Sequence, residues 1–256
     1  MLTANEILEW DDEGTTIPAK PLLVVDNLVK HFPIRSWMFG RARATVRAVD
    51  GLTFTVNHGE TLGIAGASGC GKSTSARLLM HLIKPDSGKV IWRGLEVGSA
   101  TLPVKRYRRD VQVILQNTNG SLDPRLTIER SIALGPAMHG LSRKAANARA
   151  RSVLARVGLE PKIFAGRYPH ELHDGQRQRV NVARTLALDP KLLILDDAVA
   201  GLDKAIAAPL LDLLQDLRQE FGLTYILMSR DMTLASPLCD RIIIMESGRI
   251  AKATKN

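Results

Sequence analysis

The chain has 256 residues, 45% of them hydrophobic, so it can bury a full core and is not globally disordered; its length suits one large domain or a domain carrying an inserted subdomain. A formal net charge of +9 is compatible with nucleic acid, anionic lipid or nucleotide phosphates and does not choose among them. Two cysteines, Cys70 and Cys239, exclude a disulfide framework and point to a reducing compartment.

Residues 1–20 are acidic and polar with little periodicity and read as a mobile tail. Glu6, Glu9, Asp11, Asp12 and Glu13 stand where a secretory signal would carry basic residues and then an apolar run. No apolar stretch approaches the roughly 18 residues needed to span a bilayer, so membrane contact is expected through a partner. The fold is expected to begin near Pro21, with strands over Leu22–Phe32 and Val46–Val56 separated by a basic loop at 33–44. Phe32, at the end of the first strand, is either a core aromatic or a surface on which a purine stacks. Arg35, Arg41, Arg43 and Arg47 form one basic stretch, and Lys105, Arg106, Arg108 and Arg109 a second; both read as solvated faces or partner contacts.

Thr61–Ala65 is a short apolar strand that runs into a Gly-rich turn and then a helical pattern carrying Ser75, Ala76, Leu78, Leu79 and Leu82. Gly66, Gly71, Lys72 and Ser73 fit G-x-x-x-x-G-K-[ST], with Ser68, Gly69, Cys70 and Thr74 completing the segment. Glycines at these positions let backbone N–H groups curl around phosphates, the lysine reaches the terminal phosphates, and the hydroxyl holds Mg²⁺. The helix N-terminus adds its own attraction for anions.

Pro85-Asp86-Ser87-Gly88 marks a turn, and Lys89–Trp92 and Val111–Leu115 read as further strands. From about Thr127 to Leu172 the chain is rich in Ala, Arg and Leu at helical spacing, which predicts an all-helical insertion. Leu192–Leu195 is an apolar strand ending in Asp196-Asp197. Ile206, Leu210, Leu213, Leu214, Leu217 and Phe221 share one face of a helix over 205–221. A strand at Leu223–Met228, a helix near Met232–Cys239, and strands at Ile242–Met245 and Arg249–Ala251 complete an alternating α/β pattern. His170, Glu171, His173 and Asp174 can all ligate metals, but no recognised metal spacing joins them.

The order of these motifs resembles an ABC-transporter ATPase subunit over nearly the whole chain from about residue 22, through the phosphate loop, Gln116, Tyr168–Leu172, Asp174–Arg179, Leu192–Asp196 and Gly201-Leu202-Asp203. Ser121–Ile128 and the Tyr-Pro-His-Glu-Leu run are similar to the oligopeptide, dipeptide and nickel importer subfamily. The resemblance implies a P-loop NTPase (ABC ATPase) α/β core over 21–115 and 188–256, with an antiparallel β subdomain and an inserted α-helical subdomain over 116–187. It implies ATP held by Phe32 and the 66–74 loop, Mg²⁺ held by Ser73, Gln116 and Asp196, and a catalytic group formed by Asp197, Gln116 and Arg230. A D-loop residue, Asp203, and a signature at His173, Asp174, Gly175 and Gln176 that meets the partner's ATP complete the set. The implied partners are a second ABC ATPase subunit, identical or not, and transmembrane permease subunits that hold the chain to the inner, cytoplasmic face of a membrane. Nucleic acid is disfavoured, because no long coiled coil or aromatic-studded basic groove interrupts the pattern and aromatics are 4% of residues.

The sequence departs from that family at three places. Leu172-His173-Asp174-Gly175-Gln176 stands for Leu-Ser-Gly-Gly-Gln, and a carboxylate about 4 Å from a phosphate charge is repelled by about 4 kcal/mol at an effective dielectric near 20. Asp197 stands for the glutamate that polarises water, withdrawing the carboxylate by roughly 1.5 Å; Ala198, Val199 and Ala200 replace Pro-Thr-Ser beside it. Arg230 stands for the switch histidine and is permanently charged. Nucleotide binding is therefore expected to be better preserved than turnover, in either an importer subunit with weak or absent hydrolysis or a non-catalytic nucleotide-binding regulatory module.

Overall fold

A computed structural model describes residues 20–35, 42–114, 121–198 and 204–255. Gln116, Val199, Ala200, Asp203, the tail over 1–19 and the centre of the basic loop at 36–41 lie outside the described residues.

β1 (Leu23–Arg35) and β2 (Ala42–Val56) form a long antiparallel hairpin, and β1 pairs on its other edge with β4 (Ser87–Trp92), which carries the short β5 (Leu95–Glu96). The register of β1 shifts between Val25 and Leu28, where Asn27 takes a left-handed φ of 45°. The shift keeps Val25 and Leu28 both in the core although they are three residues apart.

The second sheet has six strands in the order β10-β9-β3-β8-β7-β6. β3 (Thr61–Ala65), β6 (Val111–Ile114), β7 (Leu192–Asp196), β8 (Thr224–Ser229) and β9 (Arg241–Glu246) are parallel, and β10 (Arg249–Lys255) returns antiparallel to β9. Every residue of β7 and β8 is buried, as central parallel strands covered on both faces require. Their alternate residues divide between two cores. Ile194, Ile226 and Met228 join Leu62, Ile64 and the antiparallel sheet, whereas Leu193, Leu195, Tyr225 and Leu227 face the helices.

The helices are α1 (Lys72–Leu79), α2 (Val104–Asp110), α3 (Ile128–Met138), α4 (Arg143–Arg156), α5 (Pro161–Phe164), α6 (Asp174–Leu186) and α7 (Lys204–Phe221). All the regular structure described between β6 and β7 is helical. Thr127 and Ser142 cap α3 and α4, each accepting a hydrogen bond from the N–H three residues on.

Three expectations change. The helix expected near Met232–Cys239 is only a 3-10 turn at Ser236–Leu238, because Pro237 brings no N–H to an α-helical ladder. Leu82 lies beyond α1 and is exposed, since the chain leaves the helix at Met80 and His81 takes a φ of 51°. The basic loop expected at 33–44 is shortened, because β1 runs on to Arg35 and β2 begins at Ala42; the second basic stretch keeps its solvated face, with Lys105, Arg106 and Arg109 exposed on α2 and Tyr107 fully buried beneath them, edge-on to Trp92 at 5.8 Å.

Candidate functional site

The 66–73 loop leaves the C-terminal end of β3 and enters α1 at its N-terminus, the usual ligand position of an open α/β sheet. Its glycines are required by space. A Cβ on Gly71 would lie 2.1 Å from the Ala48 carbonyl oxygen, and φ there is 112°; one on Gly66 would lie 2.4 Å from the Met245 carbonyl oxygen. The loop is thus pressed between β2 and β9, and Gly248 N–H donates to the Cys70 carbonyl at 2.9 Å to hold its far side. Lys72 is buried, and its ammonium donates to the carbonyls of Gly66 at 2.7 Å and Ala67 at 3.0 Å, with Cys70 Sγ at 3.7 Å. Charge, a helix N-terminus and a cradle without side chains converge on one concavity, which suits a polyphosphate.

Beside the loop, Ser73 Oγ donates to Asp196 Oδ1 at 3.1 Å. Burial pushes the Asp196 carboxyl above its ordinary value, with neighbouring Asp197 adding to the rise and the Ser73 hydrogen bond opposing it. A buried carboxylate and a hydroxyl in contact are the hard-oxygen pair that Mg²⁺ selects, and a divalent cation there would favour the charged carboxylate.

Asp197 follows at the strand end with φ 50°, a left-handed conformation that aspartate tolerates. Its N–H donates to the Met228 carbonyl at 2.9 Å. Its nearly buried carboxylate accepts the Arg230 backbone N–H at 3.2 Å and lies 3.5 Å from Arg230 Nε. The structure therefore brings Asp196, Asp197, Arg230, Lys72 and Ser73 to one end of the parallel sheet.

Phe32 is 40% exposed, and its cross-strand partner Val46 is 48% exposed. The pair forms an apolar step on the strand that also supplies Ala48 to the loop. Lys30 lies 5.7 Å from the Phe32 ring centroid.

His173, Asp174, Gly175 and Gln176 form the first turn of α6. His173 caps the helix: its Nδ1 accepts the Gln176 N–H at 3.3 Å, and Gln176 Oε1 accepts the His173 N–H at 3.2 Å. Asp174 is paired with Arg177, which also donates to the Leu172 carbonyl. Its charge is thus partly neutralised within the helix and lies at the end where the dipole favours it. His170 stacks on Tyr168 at 5.7 Å, and among the described residues no cluster of His, Cys, Asp and Glu has metal-holding geometry.

Sequence reasoning missed two residues here. Arg177 was legible as the i+3 partner of Asp174 on a helix. Gln178 carries no such signal: its buried amide donates to the Ala198 carbonyl at 2.8 Å, joining α6 to the residue after Asp197, a contact that exists only once helix and strand have packed.

Comparison with known proteins bears on this geometry. The model of the ABC transporter family matches residues 49–200. The chain is 40% identical over 244 residues to the oligopeptide transport ATP-binding protein AppF of Bacillus subtilis, covering 94% of this chain and 74% of AppF. It is 42% identical over 244 residues to the glutathione import ATP-binding protein GsiA of Pectobacterium atrosepticum, covering 93% of this chain but only 38% of GsiA. The solved dimer of the ATP-binding cassette MJ0796 in a post-hydrolysis state, bound to ADP and Pi, superposes with a TM-score of 0.77 at 27% identity, over 91% of this chain and 98% of that one. Among the described residues no helix is long and apolar enough to cross a membrane.

Proposed function

This chain belongs to the ABC transporter family, and on that premise we propose that it is the ATP-binding subunit of a peptide- or glutathione-type importer, one that holds MgATP and hydrolyses it weakly. The observation that carries the binding half is the loop itself: Gly66 and Gly71 have no room for a Cβ, Lys72 is enclosed, and Ser73 meets Asp196. Backbone N–H groups of 66–74 and Lys72 would bind the phosphates, Phe32 and Val46 would carry the base, and Ser73 and Asp196, with Gln116, would hold Mg²⁺. The ion supplies charge neutralisation to the phosphates when bound.

The chain's own residues support the proposal of weak hydrolysis. Asp197 is one methylene shorter than the family glutamate and is engaged by Arg230 through both backbone and side chain. A carboxylate misplaced on the ångström scale costs about a hundredfold in rate. The partners on this reading are a second ATPase subunit, identical or not, and transmembrane permease subunits; the N-terminal turn of α6 would face the partner's nucleotide, and Asp203 would serve as the D-loop residue. Similarity to AppF and to GsiA and superposition on a dimeric cassette support it. The chain would then sit on the inner face of the membrane, held by its partners. Domain limits of 21–115 with 188–256 for the core and 116–187 for the helical part fit the placement of α3 to α6 between β6 and β7.

Calorimetric titration with MgATP, followed by an ATPase assay of chain plus permease partner, tests the reading. Micromolar binding with slow turnover is expected. Brisk turnover that survives Asp197→Ala would overturn the catalytic assignment.

A further inference from the structure

Four exposed cations gather on the side of the molecule away from the phosphate loop's own contacts: Lys105, Arg106 and Arg109 on α2, and Arg93 at the turn between β4 and β5. Among the described residues none of the four forms an ion pair. Arg93 lies over the Trp92 ring at 5.5 Å, and Trp92 packs against Tyr107 of α2 at 5.8 Å, which sets the turn beside the helix. Arg108 turns inward instead and donates to the carbonyls of Met80 at 2.9 Å and His81 at 2.7 Å. The acidic groups close by are Glu96, exposed on β5, and Asp110, which accepts the Trp92 indole N–H at 3.3 Å. Lys191, whose N–H donates to the Asp110 carbonyl, is paired with Asp189 at 3.6 Å. The face is therefore net positive, and Leu95, 40% exposed and opposite Trp92 in the β4–β5 pair, adds an apolar step to it.

We propose that residues 6–13 of this chain, Glu-Ile-Leu-Glu-Trp-Asp-Asp-Glu, dock on this face as its counter-charge and keep it from other polyanions. Residues 1–19 hold five acidic groups and no Lys or Arg. The chain enters the fold beside the face: Arg93 N–H donates to the Leu22 carbonyl at 3.0 Å, and Leu23 pairs with Trp92. An extended residue spans at most about 3.6 Å, so Glu13, seven residues before Lys20, reaches about 25 Å, against a length of about 10 Å for α2. The other basic stretch begins at Arg35, at the far end of the 13 residues of β1 and about 40 Å from this root. Closing the chain over the shorter distance costs less entropy. Each exposed charge pair is weak alone, but the tether supplies an effective concentration on the order of millimolar. Trp10 offers a ring to an arginine, and Ile7 and Leu8 offer apolar carbon to Leu95.

Hydrogen–deuterium exchange on the full chain tests the docking. At about 0.1 M salt, where charges act over about 10 Å, amides of 6–13 should be protected at least about fivefold more in the wild type than in a variant carrying Lys105→Gln, Arg106→Gln and Arg109→Gln. Raising salt to about 1 M, where the screening length is about 3 Å, should erase that difference. A second variant, with Glu9→Gln, Asp11→Asn, Asp12→Asn and Glu13→Gln, should lose the same protection without any change to α2. A third, with Arg35→Gln, Arg41→Gln and Arg43→Gln, should keep it. Equal protection in the wild type and the first two variants overturns the docking, as does loss of protection in the third alone. Protection that rises with chain concentration assigns the segment to a second copy and overturns docking within one chain. Flotation with vesicles of phosphatidylglycerol and phosphatidylcholine reads the masking: the second variant should bind at least about fivefold more than the wild type, and lose that gain when the three α2 cations are also Gln. Binding that is equal for wild type and second variant overturns the masking.

Discussion

The helix N-termini at α1 and at α6, both with glycines beside them, are built in opposite ways. The start of α1 is enclosed: a Cβ on Gly66 or Gly71 would strike the carbonyl of Met245 or Ala48, and no side chain caps the helix, so its first amides are left for a ligand. The start of α6 is exposed and already satisfied, with His173 taking the Gln176 N–H and Asp174 bound to Arg177. A helix end whose donors are left open by its own chain can bind an anion; one that has capped itself must give up those bonds first.

Lys72→Ala breaks the comparison at its stronger end and should have the largest effect. The buried ammonium has no substitute in the loop, so MgATP affinity should fall at least about a hundredfold, near 2.7 kcal/mol, by calorimetry. Retained affinity would mean that the cradle is not the site.

Opening the weaker end comes next. His173→Ser with Asp174→Gly removes the bulky cap and the carboxylate together, and ATP-driven association in sedimentation experiments should strengthen about tenfold. Arg177 tempers this figure: because it partly neutralises Asp174, the penalty is smaller than the roughly 4 kcal/mol of a bare carboxylate facing a phosphate. No change in association would show that the α6 terminus does not meet a nucleotide.

The smallest expected effect concerns the platform beneath the loop. Cys239 packs behind β3, its Sγ 2.9 Å from where a Gly63 Cβ would stand. Burial pushes its thiol up to about 11 from 9.0. Since folding raises this pKa, its contribution is complete below the unfolded value and is lost as pH rises through the folded one. Urea midpoints should fall between about pH 9 and about pH 11, and fall less in Cys239→Ala. Burial raises Tyr107 and Tyr225 as well, so a residual slope belongs to them. An unchanged slope in the variant would assign the whole effect to the tyrosines.

The sequence made the phosphate loop legible because its chemistry is local: eight consecutive positions set the turn, the ammonium and the hydroxyl. The buried runs of β7 and β8 were legible for a similar reason, since an unbroken apolar stretch has few other uses. α2 was hidden because its exposed basic residues mask the single buried anchor, Tyr107. The 3-10 turn at Ser236–Leu238 stands in place of a longer helix because Pro237 cannot donate to an α-helical ladder. Least legible were the contacts between distant segments. Nothing in the strings around 178 and 198 announces that Gln178 meets the Ala198 carbonyl, and nothing around 197 and 230 announces an ion pair. Both depend on β7, β8 and α6 being assembled side by side.

The most direct test of a nucleotide holder with restrained hydrolysis compares the wild type with a variant carrying Asp197→Glu, Arg230→His, His173→Ser and Asp174→Gly, measuring MgATP affinity and single-turnover hydrolysis in the dimer. Affinity should stay within about tenfold while hydrolysis rises at least about a hundredfold. A wild type that already hydrolyses as fast as the variant would contradict the restraint at Asp197 and at α6 together.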